Sequence, residues 1–159
     1  MARGTPAIVA LDKAGVPYRV HEFQADPAKR SFGHAAAEAL GVEAQRVFKT
    51  LIAVVDEDRH VVGIVPVSGQ LSLKELAAAV DGKRAEMCAP DSAERLTGYV
   101  VGGISPFGQK RSLPVVVDET CILFDTVFVS GGRRGLDIEI APDDLVAVLN
   151  AVIAPIGVD

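Results

Sequence analysis

A single lysine interrupts an apolar run between Val47 and Val55. Side chains of an extended chain alternate between two faces, so Lys49 shares a face with Val47 and Leu51. An ammonium group among aliphatic side chains has to be paired, reach water along its own stem, or line a cleft. The alternative is a lysine on an edge strand, where its charge opposes aggregation. The pattern leaves both interpretations open, and it makes Lys49 the first candidate for chemistry.

A glycine-rich loop at residues 100–111 (VVGGISPFGQKR) is the second candidate. Glycine adopts positive φ and lets another molecule approach the backbone, so Gly102 and Gly103 could present amides and carbonyls to a ligand. Pro106 removes a backbone donor and stiffens the segment. The loop is longer than a plain hairpin needs, which favours a binding rim. A long surface turn is the alternative.

The common signatures of hydrolytic and cofactor chemistry are missing from the sequence. His21, His34 and His60 lie far apart and no Cys-x-x-Cys pair exists, so no metal site is indicated. There is no Gly-x-Ser-x-Gly elbow and no Walker loop. The glycine-rich turn at 131–135 lacks the spacing of a dinucleotide fingerprint. We therefore expect neither a metal nor an organic cofactor.

Three segments together resemble one known family. They are the run 47–55 with its lysine, the segment from Gly102 to Lys110, and the segment 129–139 (VSGGRRGLDIE). Their combination is similar to the YbaK/EbsC family of aminoacyl-tRNA deacylases, which is related to the editing domain of bacterial prolyl-tRNA synthetase. The likeness covers nearly the whole chain from Thr5 onward. Within the family it is strongest to the deacylases of Cys-tRNA(Pro) and Cys-tRNA(Cys).

The resemblance implies an enzyme that clears cysteine from mischarged tRNA(Pro) by breaking the ester to the terminal ribose. In the Cys-tRNA deacylases of this family no protein side chain is thought to attack. The thiol of the substrate attacks its own carbonyl, and the enzyme acts by positioning and electrostatics. The resemblance makes Lys49 the catalytic lysine, which orients the aminoacyl end and stabilises charge on the ester or the departing oxygen. Backbone groups of Gly102 and Gly103 would hold the α-ammonium or the carbonyl.

The resemblance also implies a set of binding residues. Those expected to contact the aminoacyl end are Phe23, Phe32, Thr50, Ile104, Ser105, Pro106, Ser130 and Gly131. The cations expected to contact acceptor-stem phosphates are Lys110, Arg111, Arg133 and Arg134, for which solvated turns are the alternative. On an ideal strand Thr50 would face away from Lys49. Aminoacyl-tRNA is the implied substrate, and prolyl-tRNA synthetase is the implied protein partner.

Two rival functions remain open from the sequence. Sister families hydrolyse Ala-tRNA(Pro) with a bound water, and a small pocket separates such substrates only modestly. The second rival is a module that binds tRNA or the synthetase without activity. Its sequence hint is Phe23, which stands where relatives often carry tyrosine, so that any hydrogen bond of that hydroxyl is absent. The retention of Lys49 argues against this rival.

Composition sets the remaining limits. The chain has 159 residues, of which 49% are hydrophobic and 5% aromatic, and this predicts one domain, residues 1–159, with an aliphatic core. No apolar run approaches a membrane span and no secretory leader is evident, so we expect a cytoplasmic protein. The net charge of −5 argues against non-specific coating of nucleic acid but allows a local basic patch. Cys88 and Cys121 are expected to be buried thiols.

The elements that must position these residues follow from the hydrophobic pattern. Predicted strands cover 16–23, 47–55, 60–67, 84–89, 114–117, 126–129 and 136–140, and predicted helices cover 6–14, 33–40, 73–80 and 91–96. Pro142 opens a last helix, whose apolar stripe includes Val148 and Val152. Strand 47–55 is apolar on both faces, which suits a central position. Hairpins dominate, so we predict an α+β fold with a mixed, mainly antiparallel sheet surrounded by helices. The resemblance implies a strongly curved sheet, or partial barrel.

Overall fold

The computed structural model describes residues 4–24 and 32–159, apart from the side chains of residues 32 and 33. Its helices are α1 Pro6–Ala14, α2 Phe32–Leu40, α3 Leu73–Ala79, α4 Pro90–Thr97 and α5 Pro142–Leu149. Its strands are β1 Arg19–Glu22, β2 Phe48–Val55, β3 Arg59–Pro66, β4 Gln70–Leu71, β5 Ala85–Met87, β6 Val115–Asp118, β7 Val127–Arg133, β8 Leu136–Ile140, β9 Val152–Ala154 and β10 Gly157–Val158. Each predicted element overlaps an observed one, whereas β4, β9 and β10 are absent from the prediction. None of the described helices is long and apolar enough to cross a membrane.

The described strands form three sheets. Their strand orders are β5-β2-β3-β6-β9, β1-β8-β7 and β10-β4. The pairings are antiparallel except for β3 with β6 and β6 with β9, which confirms the mixed, mainly antiparallel α+β fold. The two larger sheets meet at an isolated parallel bridge between Val47 and Phe128, and the pairings of the described strands do not close into a barrel. Strong curvature stays a prediction of the resemblance.

Strand β2 carries the lysine, and only one half of it is central. It pairs with β3 along its whole length, from Phe48 to Val55. Strand β5 covers its other side only from Ala53 onward. The prediction of a central strand is therefore right for that half and wrong for the half that contains Lys49. Because this half has a single neighbour of the same sheet, a ligand can reach side chains on both of its faces.

Apolar packing holds β2 rigidly on both faces. Phe48 and Ile52 belong to a core cluster that extends to the β7–β8 ladder and to α1, α4 and α5. The opposite face packs Ala53 and Val55 against Leu76 of α3. All five of these residues are buried. The open half of β2 is therefore an extension of a fixed element and not a loop.

Two helix starts follow the predicted capping chemistry. The hydroxyl oxygen of Thr5 accepts a hydrogen bond from the N–H of Ile8 at 3.2 Å, and the helix begins at the next residue, a proline. Ser72 accepts from the N–H of Glu75 at 3.2 Å in the same way. The hydroxyl of Thr5 also donates to the carbonyl of Gly131 at 2.8 Å. The first helix is therefore tied to the glycine-rich turn of β7 and β8.

The last helix ends earlier than its apolar stripe predicts. Helix α5 stops at Leu149, and Asn150 then adopts a left-handed conformation with φ of 50°. Val152 starts β9 and pairs with Val116 of β6, so its predicted place on the helical stripe is wrong. Asp118 accepts a hydrogen bond from the N–H of the glycine at position 157 at 2.7 Å and fastens the segment that follows. A short apolar segment suits helix and strand alike, and here the available partner strand decides.

The first strand lies beside one of the later ones. Strand β1 pairs with β8, and the ring Nε2 of His21 lies 2.8 Å from a carboxyl oxygen of Glu139, which is 118 positions further along the chain. Arg133 donates to the carboxylate of Glu22 at 3.1 Å. These contacts join β1, at the end of the first described segment, to the β7–β8 hairpin.

Candidate active site

A cavity of about 480 Å³ opens where β2 and β7 separate beyond the bridge between Val47 and Phe128. Its walls are residues 48–52 of β2; Ser130, Arg133, Arg134, Gly135 and Asp137 of the β7–β8 hairpin; Val101, Gly102 and Ile104 of the glycine loop; Met87, Cys88, Pro90 and Ala93; and Phe23, Ala36, Val47 and Val67. The lysine strand and the two glycine-rich segments, which are distant in sequence, therefore meet at one place.

Lys49 lines this cavity and is partly exposed. Removal from water lowers the pKa of its ammonium group below the usual lysine value. It forms no ion pair with the described carboxylates. Lys49 lies on the half of β2 that has one strand neighbour in its sheet, and it also lines a cavity, so the edge-strand position and the cleft position occur together. The cation is therefore available to a ligand.

Thr50 lines the cavity as well, although its side chain leaves the other face of β2. Side chains of both faces can line one cavity here because β5 does not pair with this half of β2. The hydroxyl oxygen of Thr50 is buried and has no hydrogen-bond partner among the described residues. Such an unsatisfied group costs about 1–3 kcal/mol. A ligand that supplies a partner would recover this cost.

Asp137 is a cavity residue that the sequence prediction omits. It stands opposite Ser130 in the β7–β8 ladder, and both residues line the cavity. Asp137 is 6% exposed, and burial raises the pKa of its carboxyl group to about 7. No described cation forms an ion pair with it. A buried carboxyl without a partner, facing a cavity, is suited to bind a cationic group of a ligand.

Glu139 lies two residues further along the same face of β8, but it has partners. Thr126 donates to one carboxylate oxygen at 2.6 Å, and the ring Nε2 of His21 lies 2.8 Å from the other. The hydrogen bond from Thr126, followed by that from His21, lowers the pKa of Glu139. Strand alternation predicts that both acids face away from the aliphatic core. Only the tertiary structure shows that Glu139 has partners whereas Asp137 lines the cavity without an ion pair to a described cation.

The glycine loop reaches the cavity through Gly102, whose φ is 94°. The N–H of Gly103 donates to the carbonyl of Val100 at 2.9 Å, so this group is engaged within the turn. A carboxylate oxygen of Glu94 accepts from the N–H of Val101 at 2.8 Å. Helix α4 therefore holds the loop that forms one wall of the cavity.

Gly103 lies against the β7–β8 turn. A Cβ atom at this position would lie 2.7 Å from the Cα of Arg133 and 2.9 Å from the backbone nitrogen of Arg134. Both are backbone atoms, so a side chain could fit only if one of the two segments moved. Gly103, which is predicted to contact the substrate, thus sets the distance between the glycine loop and the β7–β8 turn.

Three of the predicted substrate contacts lie behind the cavity wall. Ser105 and Pro106 are buried, and the hydroxyl oxygen of Ser105 accepts a hydrogen bond from the N–H of Phe107 at 3.2 Å. Gly131 is buried too, and a Cβ there would lie 2.8 Å from the side chain of Leu136. These residues support the loop and the turn and do not belong to the lining.

The four cations predicted to contact phosphate lie at two separate places. Arg133 and Arg134 line the cavity, whereas Lys110 and Arg111 line a separate cleft on another face of α4.

Phe23 lines the cavity with a ring that carries no hydroxyl. Phe32 begins α2, and its side chain lies outside the described residues.

The cavity holds hydroxyl and thiol groups, and its described lining contains no imidazole to activate them. Burial raises the pKa of the Cys88 thiol, which disfavours the nucleophilic thiolate. No histidine is among the described lining residues, so Ser130 and Thr50 lack the imidazole of a nucleophile–base pair. Chemistry in this cavity would depend on position and on the charges of Lys49 and Asp137.

The geometry thus describes a domain with one cavity that is lined by apolar, hydroxyl, cationic and acidic groups and could hold a small polar ligand. The chain belongs to the aminoacyl-tRNA editing domain family, whose model matches residues 26–148. Family membership confirms the predicted enzyme class, the aminoacyl-tRNA deacylases of the YbaK/EbsC type.

Named relatives and a solved structure agree with this membership. EbsC of Enterococcus faecalis (strain ATCC 700802 / V583), provisionally named a Cys-tRNA(Pro)/Cys-tRNA(Cys) deacylase, is 36% identical over 152 residues, which cover 96% of this chain and 92% of EbsC. ProXp-y of Escherichia coli (strain K12), named a multifunctional Ser/Thr-tRNA deacylase, is 29% identical over 140 residues, covering 83% of this chain and 81% of the relative. A crystal structure provisionally described as a trans-editing enzyme for prolyl-tRNA synthetase superposes with a TM-score of 0.85 at 26% identity, covering 99% and 97% of the two chains.

Proposed function

We propose that this chain is a cytoplasmic trans-editing enzyme, a single domain over residues 1–159, that cleaves the aminoacyl ester of Cys-tRNA(Pro). The observation that carries the proposal is the presence, in one cavity, of the cation of Lys49 and the unpartnered carboxyl of Asp137. An aminoacyl ester offers the complementary groups, an α-ammonium and electron-rich ester oxygens. The 36% identity to EbsC supports cysteine as the amino acid.

In the proposed complex, Asp137 binds the α-ammonium and Lys49 faces the ester oxygens. The arriving ammonium favours the carboxylate form of Asp137, whose pKa burial has raised. Gly102 presents its backbone to the carbonyl group, because the N–H of Gly103 is engaged within the turn. The hydroxyl of Thr50 gains the hydrogen-bond partner that it lacks.

The reaction in this proposal needs no attacking protein group. The thiol sulfur of the substrate attacks its own carbonyl carbon, so an S–C bond forms and the C–O bond to the ribose breaks. The thiol proton ends on the departing ribose oxygen, and the products are a strained cysteine thiolactone and tRNA with a free hydroxyl. Lys49 stabilises the negative charge that develops on oxygen, and the cavity walls hold the thiol near the carbonyl.

The buried hydroxyl of Thr50 also favours one alternative, the hydrolysis of Ala-tRNA(Pro) by a bound water. A water held at this hydroxyl would supply the nucleophile that alanine lacks. The neighbouring wall of Phe48, Ile52 and Ala93 is apolar and suits a thiol or a methyl group better than a hydroxyl. A module that binds tRNA without activity could use the same lysine to hold its ligand, so turnover decides between this alternative and the proposal.

Deacylation of Cys-tRNA(Pro), Ala-tRNA(Pro) and Ser-tRNA(Pro), measured side by side, tests the proposed substrate. We expect the cysteine ester to be lost fastest, the serine ester to be lost far more slowly because its hydroxyl is a weaker nucleophile than a thiol, and the alanine ester, which has no internal nucleophile, to be lost no faster than without the enzyme. The thiolactone, or the product of its capture by an added amine, should appear with the cysteine ester. Faster loss of alanine would replace the proposal by the water mechanism, and no loss of any ester would favour a binding module.

Gly103→Ala is expected to lower kcat/KM for Cys-tRNA(Pro) by about 10- to 100-fold, because a small displacement of reacting groups has effects of this size. The new Cβ would force the glycine loop away from Arg133 and Arg134. Gly41→Ala is the matched control, since Gly41 has φ of 69° and open space around it. The control should lose stability without loss of rate, as judged by thermal unfolding and the same deacylation assay. Equal rates for both variants and the parent chain would show that the loop spacing is unimportant.

Prolyl-tRNA synthetase is the proposed partner. The support is the structural neighbour described as a trans-editing enzyme for that synthetase. The net charge of −5 also suits a protein whose own affinity for tRNA is limited and which receives its substrate from a partner.

A further inference from the structure

A second cleft, of about 340 Å³, lies on another face of α4 and carries a concentrated positive charge. The residues that line it are His60, Ser92, Arg95, Leu96, Lys110 and Arg111. Three of the six are permanent cations and none is an acid. In a chain of net charge −5, this is a local reversal of sign. The cleft shares no residue with the lining of the cavity that holds Lys49.

Backbone hydrogen bonds order the cleft before any ligand arrives. The N–H of Lys110 donates to the carbonyl of Thr97 at 2.9 Å, and that of Arg111 donates to the carbonyl of Leu96 at 3.0 Å. The end of the glycine loop therefore runs beside the end of α4. The guanidinium of Arg95 donates to the hydroxyl of Ser92 at 3.2 Å, and its one carboxylate neighbour among the described residues, at 3.7 Å, is exposed.

We propose that this cleft binds phosphate groups of the aminoacyl-tRNA backbone while the aminoacyl end occupies the main cavity. The proposal rests on the proposed function, because it takes the occupant of the main cavity to be the end of a tRNA. Guanidinium groups match phosphate oxygens in geometry, and a concave site with several cations is typical of phosphate contacts. The competing occupant is an acidic surface of a protein partner. A phosphate group fits into a small cleft, whereas a broad protein surface does not.

The positions of the two sites around α4 suit a single strand of RNA. Pro90 and Ala93 of α4 face the main cavity, and Ser92 and Arg95 face the cleft. A helix with its side chains is about 10–12 Å across. Because each nucleotide carries one phosphate, a strand a few nucleotides long spans a helix of this width. The cleft would therefore hold phosphates a few nucleotides before the aminoacylated end, and it would act as a second contact beyond Arg133 and Arg134.

A charge-matched pair of triple variants tests this assignment. The cleft variant carries Arg95→Gln, Lys110→Gln and Arg111→Gln. The control carries Lys13→Gln, Lys74→Gln and Lys83→Gln, three exposed lysines outside both linings. Binding of uncharged tRNA(Pro) is measured over a series of salt concentrations. Deacylation is measured on Cys-tRNA(Pro) and on the cysteinyl ester of adenosine, which has no phosphate.

For the cleft variant we expect the ratio of kcat/KM on tRNA to that on the adenosine ester to fall about tenfold or more. The slope of log K against log salt should become shallower by about 0.7–0.9 for each phosphate that the variant no longer neutralises. The control should keep both values. An equal decrease in the two variants would overturn the proposal in favour of net charge. Unchanged tRNA binding, or a decrease that appears only with prolyl-tRNA synthetase present, would overturn it as well.

The two proposals fail in distinguishable ways. If the parent chain deacylates neither substrate, the proposed function is wrong, and the binding of uncharged tRNA still tests the cleft. If the parent chain deacylates tRNA and the cleft variant does so with the same kcat/KM, the cleft assignment alone is wrong. Thermal unfolding of both variants separates phosphate binding from the stabilising effect of cations at the end of α4.

Discussion

Lys49→Ala is expected to lower kcat/KM for Cys-tRNA(Pro) by about 10²- to 10³-fold, the usual effect of removing one group that stabilises developing charge. The ammonium group lies in a cavity that lacks a competing partner among the described residues, so its full charge is available to the ester oxygens. The variant should fold as well as the parent chain. Desolvation lowers the pKa of Lys49, so its charged form does not stabilise the folded state, and its removal should cost no stability. The measurement is single-turnover deacylation, with thermal unfolding of the same samples.

Two companion variants sharpen the Lys49 result. Lys49→Arg keeps the charge and should retain part of the rate, whereas Lys74→Ala removes an exposed lysine of α3 and should retain all of it. Since the pKa of Lys49 is lowered, the rate should also decline with rising pH before an ordinary lysine would lose its proton. Deacylation by Lys49→Ala at the rate of the parent chain would refute the electrostatic mechanism.

Asp137→Asn is expected to produce a more stable and less active protein. The folded carboxyl has a pKa of about 7, against 3.8 for an ordinary aspartate, so the folded state binds its proton more tightly than the unfolded chain does. Stability therefore falls as pH rises from about 4 to 7, by on the order of 4 kcal/mol in total, and stays low above pH 7. Asparagine has no charge to bury, so the variant should unfold at a higher temperature at pH 8 and show little difference at pH 4.

The same variant should lose about 10- to 150-fold in kcat/KM, which corresponds to one charged hydrogen bond to the α-ammonium. Glu139→Gln is the matched control on the neighbouring position of the same strand face. Its carboxylate is bound by Thr126 and His21, so its removal should destabilise the protein at neutral pH and leave the chemistry nearly intact. A loss of stability in Asp137→Asn at pH 8 together with an unchanged rate would contradict the assigned role.

Local sequence signals predict the segments that build the site, but not all of its contents. Caps such as Thr5 and Ser72 act within one helix turn, and they are present as predicted. Lys49 is conspicuous because its neighbours in sequence are apolar. Asp137 escapes notice because its strand carries a second acid, and only the partners of Glu139 distinguish the two. Such partners come from distant parts of the chain.

Tertiary contacts also explain the other differences. The open half of β2 depends on where β5 stops, which an apolar pattern does not specify. Lys110 and Arg133 both follow glycine-rich segments, yet α4 places them at two separate sites. Val152 fits the helical period of the sequence, but in the structure it pairs with the edge of β6 and forms a strand. In each case the sequence specifies the kind of segment, and the neighbour decides its use.

The pairing of β1 with β8 affects how the chain can fold during translation. His21 meets a residue 118 positions later, and at about 5–20 residues per second the ribosome needs roughly 6–24 s to make the intervening chain. Until then β1 has no partner, and Leu11 of α1 lacks Leu145 of α5, which belongs to the same core cluster. Contacts of such sequence separation also form slowly once the chain is complete. The newly made amino-terminal segment therefore has to remain unaggregated until the last quarter of the protein has been synthesised.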